Sequence, residues 1–275
     1  MHVVTCCSRS GSSFICQLLH ELGGDFGSQS ELVKADKWNS KGYFENKTVN
    51  KLNHELLFGP WSSSKIWIES MWPKNPFIRL RKISSLALAP LVSKKSLIQK
   101  RGNKKSDQII SLSKELNNRI VKDPRFCYLM DPWQIHGAID SVLFVLRHPW
   151  ESASSMARQT GLPLPLTYAG WKDSILNFWN TKHEYPVHIV DYNSLFQKDI
   201  PSKAMEPLFK FLDIQFDREK ADKALSSTID KKMRSYKGTE KKLPKSFYLT
   251  LLSFLIFLVI SKTLDFFLAL SLIHI

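Results

Sequence analysis

The run Val3-Val4-Thr5-Cys6-Cys7-Ser8-Arg9-Ser10-Gly11-Ser12-Ser13-Phe14-Ile15-Cys16-Gln17-Leu18-Leu19-His20 constrains this chain more than any other segment. A short apolar stretch reads as a strand, a loop of small residues holds one arginine, and apolar residues at helical spacing follow. A strand that hands over to a helix in this way aims the loop N–H groups and the positive end of the helix dipole into one concavity. Gly11 lets another backbone or a ligand approach closely. Such a concavity is a cradle for an anion, above all a phosphate. The competing reading is an ordinary turn, since serine is a favoured helix N-cap.

The loop differs from the nucleotide-binding pattern G-x-x-x-x-G-K-[ST]. Gly11 and Ser13 align with it, but Cys6 stands at the first glycine and Ser12 at the lysine that reaches the β- and γ-phosphates. The positive charge sits instead at Arg9. Further along, apolar periodicity predicts helices over 12–22, 49–57, 150–158, 170–182 and 202–212, a basic helical region over 78–120, and strands over 2–6, 141–146 and 187–190. Strands alternating with helices predict an α/β fold, a P-loop-like central parallel sheet flanked by helices. The glycine and prolines of 161–166 predict a loop.

Four segments, in order, resemble the sulfotransferases that use 3′-phosphoadenosine 5′-phosphosulfate (PAPS). Ser8-Arg9-Ser10-Gly11-Ser12-Ser13 after a strand is similar to their 5′-phosphosulfate loop. Lys122-Asp123-Pro124-Arg125 resembles a segment of the bacterial, carbohydrate-type branch. The strand 141–146 ending in Arg147, with Ser155 eight residues on, is similar to the 3′-phosphate motif. Ile189-Val190-Asp191-Tyr192, with 208–214 after it, resembles the family's closing strand, tyrosine and helix. The likeness covers roughly residues 3 to 216, and it departs at Cys6 and Ser8, where the family commonly has Gly and Pro.

The resemblance implies sulfuryl transfer from PAPS, as co-substrate, to a hydroxyl or amine acceptor, a carbohydrate among the options. It implies that Arg9, Ser10, Gly11, Ser12 and Ser13 hold the phosphosulfate, that Arg147 and Ser155 hold the 3′-phosphate, and that Tyr192 contacts adenine. Gly42-Tyr43-Phe44-Glu45 resembles the position of the catalytic glutamate in the carbohydrate-type branch, so Glu45 is the candidate base and Arg9 the candidate stabiliser of the leaving phosphate. His20, His54, Asp123 and His148 are alternative bases, although the spacing of the first helix points His20 inward as a core residue. Lys122 and Arg125 orient acceptor or phosphosulfate, or pair with Asp123. Two rivals remain: a P-loop nucleotide kinase, and a membrane-tethered nucleotide-binding protein without activity.

Length and composition fit this reading. With 275 residues, 43% apolar and 12% aromatic, the chain is globular and long enough for one sizeable core. The four cysteines show no C-x-x-C pair and the histidines are scattered, so no metal site is expected. Those cysteines read as small buried hydrophobes of a reducing compartment, with Cys6 or Cys7 beside the loop as the reactive candidates. Between Pro73 and Lys122 thirteen Lys or Arg face two acidic residues, a patch that draws anions such as a glycan or a lipid headgroup. No nucleic-acid module is recognisable, and none is expected as a partner.

The domain boundaries follow: a catalytic domain over 1–230, a basic linker over 231–245 and a hydrophobic C-terminal tail over 246–275. The linker holds seven basic residues against Glu240, and the apolar run behind it is interrupted by Lys262 and Asp265. A spanning helix needs about 20 apolar residues, so the tail reads as a membrane element, as a hairpin packed on the domain, or as an artefact of the sequence that replaces the natural ending. Basic residues before the run place the catalytic domain on the cytoplasmic side. A strand beginning at His2 leaves no room for a signal peptide, so a cytoplasmic, membrane-associated protein is expected.

Overall fold

A computed structural model describes residues 1–36, 39, 42–59, 93–196 and 201–228. Their elements, in chain order, are β1 (His2–Cys6), α1 (Ser12–Glu21), α2 (Lys47–Phe58), α3 (Lys95–Lys104), α4 (Ser106–Glu115), β2 (Ile120–Lys122), α5 (Phe126–His136), β3 (Ser141–Leu146), α6 (Pro149–Thr160), α7 (Leu164–Trp179), β4 (Val187–Asp191), α8 (Pro201–Phe211) and α9 (Arg218–Thr228). A 3₁₀ turn over Tyr192–Phe196 follows β4. The strands form one parallel sheet in the order β2-β1-β3-β4, with Cys6 opposite Val145 and Leu146 opposite Asp191. The fold is α/β with helices on the sheet, as expected.

Alternation along the strands explains why both sheet faces are covered. Val4, Cys6, Leu143 and Val145 pack with α1, α8 and α9, while Val3, Val142 and Phe144 pack with α2, α5 and α7. A parallel sheet buried on both faces needs apolar residues at nearly every position, and these strands have them. Trp133, Phe126, Phe144 and Phe178 are fully buried on the second face, each contributing roughly 1.5–3 kcal/mol of hydrophobic stabilisation.

Local chemistry sets the helix ends. Asn46 caps α2 by accepting hydrogen bonds from the N–H groups of Thr48 and Val49 at 2.9 and 3.2 Å. Pro149 opens α6, where its missing N–H costs nothing, and Gly161 at φ 71° closes it. The loop expected over 161–166 is shorter than predicted, because α7 begins at Leu164 with Pro165 in its first turn. Three elements escape the sequence pattern. β2 has three residues, too few for alternation to show; α5 carries Pro132 in its interior; and α9 is mostly polar.

Two expectations fall partly or wholly outside the described residues. The basic region of 78–120 contains α3 and α4, with 78–92 not described, and the linker 231–245 and tail 246–275 lie beyond residue 228. Among the described residues no helix is long and apolar enough to cross a membrane.

The strand order places the site. Beyond β1 the sheet continues to β2 on one side and to β3 and β4 on the other, so the chain diverges at the carboxyl ends of β1 and β3. In open α/β sheets ligands bind in the crevice at such a point. Here it receives the loop 7–11 from β1 and Arg147 from β3.

Candidate active site

The loop after β1 is held in a conformation that few residues adopt. Arg9 lies in the left-handed region at φ 68° and Gly11 at φ 89°, while Ser10 N–H donates to the Cys7 carbonyl at 3.1 Å to close the turn. A non-glycine residue in that region costs on the order of 1–3 kcal/mol and persists where its surroundings enforce it. Gly11 is the N-cap of α1, and no side chain caps that end. The loop serines look inward: Ser12 Oγ accepts from Cys6 Sγ at 3.1 Å, and Ser10 Oγ meets Ser152 Oγ of α6 at 3.3 Å. The ordinary serine-capped turn is therefore not what forms. The N–H groups of Gly11, Ser12 and Ser13 begin a helix with a bare positive end, whereas Ser10, named with them from the sequence, spends its N–H on the turn.

Arg147 faces this loop from the end of β3. It is 6% exposed. Its Nε donates to Glu151 Oε2 at 2.8 Å and its Nη1 to the Arg9 carbonyl at 3.4 Å, and its guanidinium carbon lies 4.8 Å from the centre of the Tyr192 ring. Nη2 is buried and has no hydrogen-bond partner. Arg9 in turn donates from Nε to Ser155 Oγ at 3.2 Å. Arg9, Arg147, Ser155 and Tyr192, singled out from distant parts of the sequence, thus meet. Burial lowers the pKa of Arg9, and Arg147 and Arg158 nearby lower it further, against the raising influence of Tyr43 and Asp36. A guanidinium does not release its proton in a protein, so this lowering expresses the cost of a buried cation that an incoming anion offsets.

A second cluster lies on the β2 side of the loop. Lys122 Nζ donates to Glu45 Oε1 at 2.7 Å and reaches Ser13 Oγ at 3.4 Å. Burial, the largest influence, pushes Lys122 down, but the Glu45 carboxylate together with Cys6 and Cys16 holds it above its ordinary value. Glu45 Oε2 accepts from Asn50 Nδ2 at 2.7 Å and from Arg125 Nη2 at 3.5 Å. Asp123 accepts from Arg125 N and Nε at 2.8 and 2.9 Å and from Asn53 Nδ2 at 3.0 Å, and Asn53 accepts from Trp133 Nε1 at 2.7 Å. Of the two sequence-based options for the charges, Arg125 is the partner of Asp123, and Lys122 joins Glu45 to the loop.

The other base candidates stand differently. Asp123 is fully buried within its own network. His54 packs its ring on Phe58, His148 is exposed, and His20 is exposed beside Phe26 and Phe44 rather than in the core. The first helix ends at Glu21, so His20 occupies its last turn, facing outward. Burial pushes the Cys6 thiol up to about 12, which disfavours the nucleophilic thiolate there. Residues that the sequence reading missed include Glu151, Ser152, Asn50 and Asn53. Only Glu151 carried a signal, its i, i+4 spacing from Arg147.

Much of the described basic segment is engaged within the fold. Arg101 Nη1 donates to the Leu56 and Leu57 carbonyls at 2.9 Å, closing the C-terminus of α2. Lys105 pairs with Glu55 at 2.6 Å and Lys95 with Asp131 at 2.7 Å. No group of three or more His, Cys, Asp or Glu suited to a metal ion occurs among the described residues.

Residues 136–249 match the family model of the sulfotransferase domain. Over these residues the chain is similar to the sulfotransferase domain. The matched segment contains Arg147, Glu151, Ser155 and Tyr192, and leaves the loop at 8–13 and Glu45 outside it. Among solved structures, the sulfotransferase domain from the Synechococcus PCC 7002 olefin synthase is similar at a TM-score of 0.45 and 15% identity, over 92% of this chain and 94% of that one. No curated protein sequence matches the chain.

Proposed function

We propose that the chain transfers a sulfuryl group from PAPS to a hydroxyl or amine acceptor. One observation carries the reading: the Nη2 edge of Arg147 is buried, charged and without a partner, beside an uncapped helix start. A buried unpaired donor costs free energy that a phosphate oxygen recovers, and a guanidinium suits a phosphate two-pronged. In this reading Arg147 and Ser155 hold the 3′-phosphate. Arg9 and the N–H groups of Gly11, Ser12 and Ser13 hold the 5′-phosphosulfate, with Ser10 fixing the turn, and Tyr192 closes the nucleotide seat.

The donor supplies an activated sulfuryl group. As the acceptor oxygen bonds to sulfur and the bond from sulfur to the 5′-phosphate breaks, negative charge grows on the departing oxygen. Arg9 and the helix start meet that charge with donors already in position. Glu45 takes the acceptor proton, and Lys122 holds it against the loop. The products are the sulfated acceptor and adenosine 3′,5′-bisphosphate. The likeness at 122–125 supports a carbohydrate hydroxyl as acceptor, and the apolar tail at 246–275 behind its basic run supports one met at a membrane.

Calorimetry with adenosine 3′,5′-bisphosphate and adenosine 5′-monophosphate tests the assignment. The parent chain prefers the bisphosphate, and Arg147→Ala weakens the bisphosphate about 10- to 150-fold while changing the monophosphate little, the range expected for hydrogen bonds to a charged group. Equal weakening of both ligands removes Arg147 from the 3′-phosphate.

A further inference from the structure

We propose that Tyr192 is a positioning residue that locks the two phosphate seats to one another, rather than a surface for the adenine ring. The inference rests on the donor reading and assigns Tyr192 a different task within it. Three strands converge on this ring: Gly11 follows β1, Arg147 follows β3, and Tyr192 itself follows β4. A Cβ at Gly11 would lie 2.3 Å from Cδ2 and Cε2 of Tyr192, so the loop backbone rests on the ring and the ring fills the space that a side chain there would take. The guanidinium of Arg147 lies 4.8 Å from the ring centre, and Phe14 of α1 meets it edge-on with centroids 5.8 Å apart.

With loop, arginine and α1 against it, Tyr192 is 7% exposed. Little of the ring is left for a base to stack on. What it does instead is set a distance. Glu151 fixes Nε of Arg147, the Arg9 carbonyl takes Nη1, and the ring fixes the plane of the guanidinium, so that Nη2 is the edge left over. Without the ring, the described contacts tie Arg147 to the loop only through the 3.4 Å hydrogen bond to Arg9. Both seats then lose their mutual register, and a ligand carrying two phosphates feels the loss more than a ligand carrying one.

The test uses three probes in calorimetry: adenosine 3′,5′-bisphosphate, adenosine 5′-monophosphate and the base-free 2-deoxyribose 3,5-bisphosphate. In Y192L the preference for adenosine 3′,5′-bisphosphate over the monophosphate falls about tenfold, and the base-free bisphosphate weakens by a similar factor, the size expected when a desolvated cation–π contact is lost. Y192F, which keeps the ring, restores both. If Y192L does not fold, Y192M refills the core without a flat face, and the same losses are expected. The inference is overturned if the variant weakens both adenosine ligands alike and leaves the base-free ligand unchanged, the signature of adenine contact, or if Y192F is as impaired as Y192L. A parent chain with no preference for the 3′-phosphate overturns the donor reading itself, and this inference with it.

Discussion

Two basic corners flank the end of β1, and they differ in what their charges have left to bind. On the β2 side, Lys122 and Arg125 meet Glu45 and Asp123, and the Asp123 network continues through Asn53 to the Trp133 indole. On the β3 side, among the described residues, Arg9 donates to the neutral Ser155 hydroxyl, and Arg147 gives its Nε to Glu151 while Nη2 stays unmatched. The first corner is balanced within the protein. The second is balanced only when an anion arrives. Basic residues therefore do not mark a ligand site by their number; the unmatched donor does.

The comparison breaks most visibly at Asp123. Removing a buried carboxylate that holds Arg125 and Asn53 strands their donors, so Asp123→Ala lowers stability by about 3–5 kcal/mol in urea unfolding. A variant as stable as the parent would mean that this corner is not scaffold at all. On the other side Arg9→Ala does the reverse. It relieves a buried cation in the free protein and costs little or no stability, while turnover at saturating donor falls on the order of 10²–10³, as when one donor is lost from an electrostatic catalytic site. Turnover near the parent level would return Arg9 to the role of a loop residue.

This contrast also separates what was legible in the sequence from what was not. β1, α1 and β3 were readable because alternation and helical periodicity run long enough in each to be seen. Arg9, Arg147 and Ser155 were singled out because the segments that carry them resemble the phosphate motifs of the sulfotransferases, and the structure brings the three together. The network around Asp123 was not, since Asn50 and Asn53 lie on α2 and Trp133 on α5, and nothing in local spacing says that two helices will meet there. The direction of His20 was misread: Ser12, Ile15, Cys16, Leu18 and Leu19 form the buried stripe of α1, and His20 falls beside that stripe, exposed against Phe26 and Phe44. Nor did sequence reveal that Ser10 spends its N–H on a turn, because that depends on the left-handed backbone at Arg9.

His183 sharpens the rule about unmatched donors, with the smallest effect. Its Nδ1 lies 2.8 Å from the Tyr185 hydroxyl, while Nε2 is buried without a partner against Phe178 and Trp179. An orphan nitrogen here does not call for a ligand, because an imidazole escapes the cost by staying neutral, as a guanidinium cannot. Burial lowers the pKa of His183 below its ordinary 6.5, against raising influences from the Phe178 backbone and Asp131. The unfolded chain then binds the proton first on acidification. The stability contributed by a neutral His183 is complete above about pH 6.5 and drains away as the pH falls through the lowered value. His183→Phe, which keeps an aromatic ring against Phe178, flattens that acid limb by less than about 1 kcal/mol, leaving the parts due to His2 and His188, whose burial lowers them as well. Urea midpoints for parent and variant, compared at neutral pH and at about pH 5, decide it. An unchanged acid slope would show that His183 binds its proton equally well in the folded and the unfolded chain, and a steeper acid limb in the variant would place His183 beside Arg147 as a buried cation awaiting an anion.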